Sequence, residues 1–186
     1  MRSKLIYIIF VVGVLMAAIL VTIILTENVP NSGGATHPEI AGLQIGGDGA
    51  ARMEHIGTLG LAFHCLLLAQ IVLLSLLGVS ERYRSTELIA YMGGSLIFML
   101  LVAWQMYSGH QQFLETEETG HFLGFPTATA WATYGTWVGA IPLILIYSIG
   151  FRKYIYTPED EEKYNELLAE KTERMEPNKW KRSDKR

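Results

Sequence analysis

Residues 5–25 read LIYIIFVVGVLMAAILVTIIL, twenty-one positions without a charged side chain. At ~1.5 Å per helical residue, such a run crosses the ~30 Å hydrocarbon core of a bilayer. It must do so as a helix, because lipid offers no water to satisfy an open backbone. Arg2 and Lys4 precede it, as they would in a signal peptide, but the run outlasts the ~7 to 15 residue apolar core of such a signal. We read it as an uncleaved anchor.

Three more runs repeat the pattern. Residues 56–79 are interrupted only by His64, Gln70 and small polar side chains, and residues 88–107 and 128–151 complete a set of four spans. Arg2, Lys4, Arg82, Arg84, Arg152 and Lys153 flank one side of the membrane and only Arg52 the other, which predicts both termini on the cytoplasmic side. The expected division is a cytoplasmic N-terminus (1–4), spans at 5–25, 56–79, 88–107 and 128–151, outer segments at 26–55 and 108–127, a cytoplasmic loop at 80–87, and a cytoplasmic tail at 152–186. The fold class is all-α, a four-transmembrane-helix bundle with a cytoplasmic amphipathic C-terminal helix, set in a bacterial inner membrane. The first outer segment, rich in glycine (33, 34, 42, 46, 47 and 49), reads as an irregular loop over the bundle mouth.

Composition narrows the function classes. The 186 residues carry 15 Lys and Arg against 18 Asp and Glu, a net charge of -3, so no basic field marks a nucleic-acid binder. A single cysteine, Cys65, excludes an intrachain disulfide framework and a multi-cysteine metal site. In apolar surroundings its thiol stays inert. Neither GxSxG, HExxH, a P-loop nor GxGxxG opening a helix occurs, so this chain is not expected to be an enzyme by itself. The mean hydropathy of +0.25 averages apolar spans with a tail beyond Gly150 that holds 19 of the charged residues.

Small residues mark close helix contacts in lipid, where packing rather than hydrophobic exclusion drives association. Ala128, Ala132, Gly135 and Gly139 form such a stripe on the fourth span, suited equally to packing within the chain or against another subunit. Gly13 with Ala17, Gly57 with Gly60, and Gly93 with Gly94 offer similar surfaces. Pro142 predicts a bend. Trp104, Tyr107, Trp131 and Tyr134 suit an interfacial aromatic belt.

Four histidines, His37, His55, His110 and His121, fall on or beside the outer side with several glutamates. Without an HxH or HxxxH spacing they read as loop histidines rather than metal ligands. His64 lies about nine residues inside the second span, roughly 13 Å deep, where an ionisable residue is a functional candidate. The expectation is a neutral histidine hydrogen-bonded to a neighbouring helix, with no cofactor. Gln70 and Gln105 are expected to make similar interhelical bonds. The competing expectation is haem b or a quinone near His64 or between His55 and His110; His110 is too shallow to pair with His64.

In the tail, Thr157-Pro158-Glu159-Asp160 reads as a helix start, and a helix over about 158–175 carries a narrow stripe of Tyr164, Leu167, Leu168, Lys171 and Met175. This stripe suits docking on the span ends or on a partner. Beyond Pro177, the basic run with Lys179, Lys181, Arg182, Lys185 and Arg186 is expected to stay disordered near anionic headgroups.

The segment Leu123-Gly124-Phe125-Pro126, the span that follows with Gly135, and the exit Phe151-Arg152-Lys153-Tyr154 resemble the small-subunit family of sodium/solute symporters. In that family a GFP motif opens the last membrane helix. The likeness covers about thirty residues, and the chain departs from the family in having four spans instead of two. The resemblance implies an accessory role beside a larger integral membrane protein, with Gly124, Phe125 and Pro126 in a helix entry, and supplies no substrate site. The expected function is therefore a non-catalytic accessory subunit of a larger inner-membrane complex, foremost a sodium-coupled transporter. The alternative is a haem- or quinone-associated membrane anchor of a respiratory complex.

Overall fold

The structure is a computed structural model that describes residues 2–27, 29 and 34–183, without the side chains of residues 2, 44 and 175–183. The chain is mostly helical and contains four helices long and apolar enough to cross a membrane. These are α1 (Arg2–Leu25), α2 (Gly49–Gly78), α3 (Thr86–Thr116) and a composite fourth helix. The last consists of α4 (Thr127–Ala130), a π-helical segment (Trp131–Gly135) and α5 (Thr136–Ile149). A short helix α6 (Phe151–Tyr154) then leads to the tail helix α7 (Pro158–Ser183).

Two caps explain where the middle helices start. Asp48 accepts the backbone N–H of Ala51 at 3.0 Å, and Ser85 accepts that of Leu88 at 3.2 Å. Each satisfies a donor that the first helical turn leaves free. Consequently α2 begins seven residues before its expected span. Helix α3 runs nine residues past its own to Thr116, where Glu117 in the left-handed region closes it with its N–H on the Phe113 carbonyl. At the other end of α2, Arg84 donates to the carbonyls of Val79 (2.9 Å) and Leu77 (3.1 Å), so a cation closes the negative end of the helix.

The helices are not equivalent. Helix α1 packs against α2, α2 against α3, and α3 against the whole fourth helix. None of the apolar window of α1 is buried within the chain, against 33% for α3. Along α3, Leu88, Met92, Ser95, Met99 and Val102 recur at three- and four-residue spacing and are all buried, the periodicity of one helix face. Val72 of α2, Val79 just past its end and Tyr154 of α6 complete this core, with Leu143 and Ile146 of α5 packed against it. The Tyr147 hydroxyl donates to the Ser75 carbonyl and ties α5 to α2.

The α1–α2 and α3–α4 connections hold two small hairpins. Strands β1 (Ala35–Thr36) and β2 (Gln44–Ile45) pair antiparallel within the glycine-rich segment, which is therefore less irregular than its composition suggests. Strands β3 (His121–Phe122) and β4 (Phe125–Pro126) form a second hairpin before α4. In the fourth helix, the departure from α geometry lies at Trp131–Gly135, before Pro142, which sits inside α5. Backbone helix in α7 continues through Pro177 to Ser183 instead of ending near 175. The headgroup contacts expected of Lys179, Lys181, Arg182, Lys185 and Arg186, and the place of Met175 in the stripe, lie outside the described residues.

Candidate functional site

The five histidines separate by their partners. His37 Nδ1 accepts the backbone N–H groups of Glu39 and Ile40, both at 3.1 Å, and holds the turn between β1 and β2. His55 Nε2 donates to the Glu27 carbonyl at 2.8 Å, joining the exit of α1 to the first turns of α2. Both imidazoles are thus used in building the α1–α2 connection. Among the described residues, the side chains of His64, His110 and His121 make no hydrogen bond. This corrects the expectation that His64 bonds to a neighbouring helix. Gln105 likewise makes no bond, and the buried Gln70 Oε1 and Ser95 Oγ have no partner.

His64 and His110 share a cavity of about 370 Å³ between α2, α3 and α4, together with Met53, Gly60, Met106, Tyr107 and Ala132. A second cavity, of about 190 Å³, continues past His64 between Leu68, Met99, Gly139 and Leu143. His64 lines both. The structure thus brings His64 together with His110 on one cavity, whereas His55, the other histidine considered beside them, is bonded elsewhere. Their depths still differ. Tyr107 packs at the level of Gly57, so His110 stands near the level of residue 54 and His64 lies ~15 Å deeper at 1.5 Å per residue. That separation does not suit two axial ligands of one haem iron.

Part of the small-residue stripe faces α3. A Cβ on Gly135 would stand 2.9 Å from Val102 Cγ1 and 2.8 Å from Trp131 Cε3, and one on Gly139 would stand 3.5 Å from Met99 Cγ. Both glycines therefore let the fourth helix approach α3. Ala128 lies against Gly109 of α3, and with Ala132 it lines the larger cavity. Gly135, Gly139 and Ala128 thus pack within the chain, while Ala132 stays exposed.

Gly124, Phe125 and Pro126 lie in the second hairpin. Leu123 (φ 48°) and Gly124 (φ 84°) form its turn, both in the left-handed region that two-residue hairpin turns of this kind require. Pro126 then occupies the position just before α4. Phe122 and Phe125 both meet Tyr134 edge to face, at centroid distances of 6.2 and 5.9 Å. The motif builds a cap over the start of the fourth helix.

At the opposite end, the tail is clasped to the α2–α3 connection. Thr157 and Asp160 cap α7 reciprocally: Asp160 Oδ2 accepts the Thr157 N–H at 3.2 Å, and Thr157 Oγ1 accepts the Asp160 N–H at 3.4 Å. The Tyr83 hydroxyl donates to Asp160 Oδ2 at 2.7 Å, and Arg82 reaches Asp160 Oδ1 at 3.2 Å. The Tyr83 hydroxyl, with Thr157 and Arg82 beside it, holds the Asp160 carboxyl below its ordinary range. Arg152 pairs with Glu161 (2.7 Å) and Lys153 with Glu87 (2.6 Å). Past this clasp, Tyr164, Leu167 and Leu168 are exposed. Sequence reading missed Tyr83, Arg84, Met53 and Met106 as site builders, because no motif spacing links them.

Among the described residues no three His, Cys, Asp or Glu side chains come together as a metal site. No family model, curated protein or solved structure matches the chain.

Proposed function

We propose that this chain is a non-catalytic accessory subunit of a larger inner-membrane complex, a four-helix bundle with both termini in the cytoplasm. The observation that carries this reading is the tail helix. Its first turn is locked to the span connection through Asp160 and Tyr83, yet Tyr164, Leu167 and Leu168 stay 57%, 65% and 49% exposed. Apolar side chains left in water on an anchored helix form a ready surface for a partner's groove. The resemblance around Gly124, Phe125 and Pro126 favours a sodium-coupled transporter as that partner. Affinity purification in mild detergent tests it: a large membrane protein should co-purify with the parent chain and be lost with Leu167→Asp/Leu168→Asp. Recovery of the parent as a monomer without such a partner removes the proposal.

A second reading, the membrane anchor of a respiratory complex, is favoured by the two unpartnered imidazoles on the intramembrane cavity. Under it, co-purifying subunits would carry redox centres visible in the absorption spectrum.

A further inference from the structure

The cavities at His64 form a groove with a definite chemistry. Its lining on α2 extends from Met53 to Ile71, a rise of ~27 Å along the helix, close to the depth of a hydrocarbon core. Small residues keep it open: Gly60, Ala128 and Ala132 in the wide compartment, Gly139 and Ala140 in the narrow one. No Asp, Glu, Lys or Arg lines either compartment. Its polar groups are the hydroxyls of Tyr107, Thr129 and Thr136 and the imidazoles of His64 and His110, and these imidazoles have no hydrogen-bond partner among the described residues.

Helical side chains lean towards their own N-terminus. Because α2 and α3 run antiparallel, His64 leans towards the outer end and His110 towards the interior, so the two imidazoles approach the wide compartment from opposite ends. An imidazole N–H in an apolar site costs free energy unless an acceptor meets it. A charged lipid headgroup finds no counter-ion here. A neutral ring bearing oxygen acceptors, joined to a long apolar chain, satisfies the donors and fills both compartments.

We propose that the groove binds a membrane-soluble quinone, its ring in the wide compartment between His64 and His110 and its isoprenoid chain running past His64 into the narrow one. This deepens the second reading above. It is separable from that reading, because quinone binding is measured on the chain alone whereas the anchor role is read from co-purifying redox subunits.

The experiment is photolabelling of the full chain in phospholipid nanodiscs with an azido derivative of decylubiquinone, using unlabelled decylubiquinone as competitor. Competed label is expected within residues 53–64 and 106–110. A Cβ on Gly60 meets nothing within 4 Å, so Gly60→Leu fills the groove without a clash at the backbone. It should cut competed labelling about ten-fold, as should His64→Leu, while His64→Gln, which keeps a donor, retains most of it. Ile141→Ala, at an exposed position on the fourth helix, should change nothing. Competed labelling that survives both Gly60→Leu and His64→Leu in protein of parental melting temperature overturns the proposal. So does a bound phospholipid that decylubiquinone does not displace.

Discussion

Tyr83 and Asp160 stand 77 residues apart in the chain, yet the tyrosine hydroxyl meets Oδ2 of the aspartate at 2.7 Å. That bond joins the connection between two spans to the first turn of the tail helix. It accepts company from Thr157 at 3.0 Å, so one carboxylate both caps α7 and fixes its direction.

Removing the hydroxyl should loosen the tail without disturbing the spans. Tyr83→Phe is expected to raise the rate of limited proteolysis in α7 by roughly three- to ten-fold, the scale of one net hydrogen bond in a local opening equilibrium. The melting temperature of the detergent-solubilised spans should hold. An unchanged cleavage rate would show that the ion pairs at Arg152 and Lys153 hold the tail by themselves.

The clasp should also respond to acid. The Tyr83 hydroxyl and its neighbours lower the Asp160 pKa below its ordinary 3.8, so the charged carboxylate is favoured by the folded tail. Its contribution is fully present above the ordinary value and is lost as pH falls through the lowered one. Spin-label mobility at residue 165 should therefore rise below about pH 4. In Asp160→Asn this acid step should diminish, and mobility should already be raised at pH 7.

The two glycines of the fourth helix should differ. Gly135→Ala places a methyl 2.9 Å from Val102 Cγ1, a stiff β-branched side chain buried on α3, and should destabilise by about 1–3 kcal/mol. Gly139→Ala, with 3.5 Å to Met99 Cγ, should change stability by less than about 1 kcal/mol. Thermal unfolding in one detergent, monitored by circular dichroism, compares them directly.

Leu123 holds φ 48° in the hairpin turn and is 69% exposed. Leu123→Asn removes little packing and supplies a residue that tolerates the left-handed region, so it should stabilise by about 0.5–1 kcal/mol. A lower melting temperature would mean that the leucine side chain itself contributes contacts at this cap.

The proposed orientation can be read with thiol reagents, because Cys65 is half-buried within α2 and is the chain's single cysteine. Ala41→Cys, between β1 and β2, should react with a membrane-impermeant maleimide on intact cells. Asn165→Cys, in the tail, should react only after permeabilisation. The reverse pattern would invert the topology drawn from Arg2, Arg82 and Arg152.

The spans were legible because their signal is local. An uncharged run of about twenty residues carries its own reason to be a membrane helix, and Thr157 to Asp160 announces the start of α7 through neighbouring side chains alone. Element ends were less so. Residues 49–55 and 108–116 are polar enough to resemble loop, and it is the caps and the continuing backbone bonds that carry those helices onward. Pro126 was legible as a helix entry, but its hairpin depends on pairing Phe122 with Phe125 across a turn.

What the residues determined by themselves is the number of helices long and apolar enough to cross a membrane and the uneven placement of charge around them, since both follow from the solvation of each short stretch. What only the tertiary structure decided is which side chains share an environment. Residue spacing set His64 apart by its depth and read His37, His55, His110 and His121 alike as loop histidines. Folding instead uses His37 in a turn and His55 in the α1–α2 link, and leaves His110 on one cavity with His64. The stripe from Ala128 to Gly139 suited two surfaces equally, and only the fold puts Gly135 and Gly139 against Val102 and Met99 of α3. Tyr83 and Asp160 carried no mark of each other at all. Such pairings depend on how antiparallel helices align across tens of residues, a relation that no local window contains.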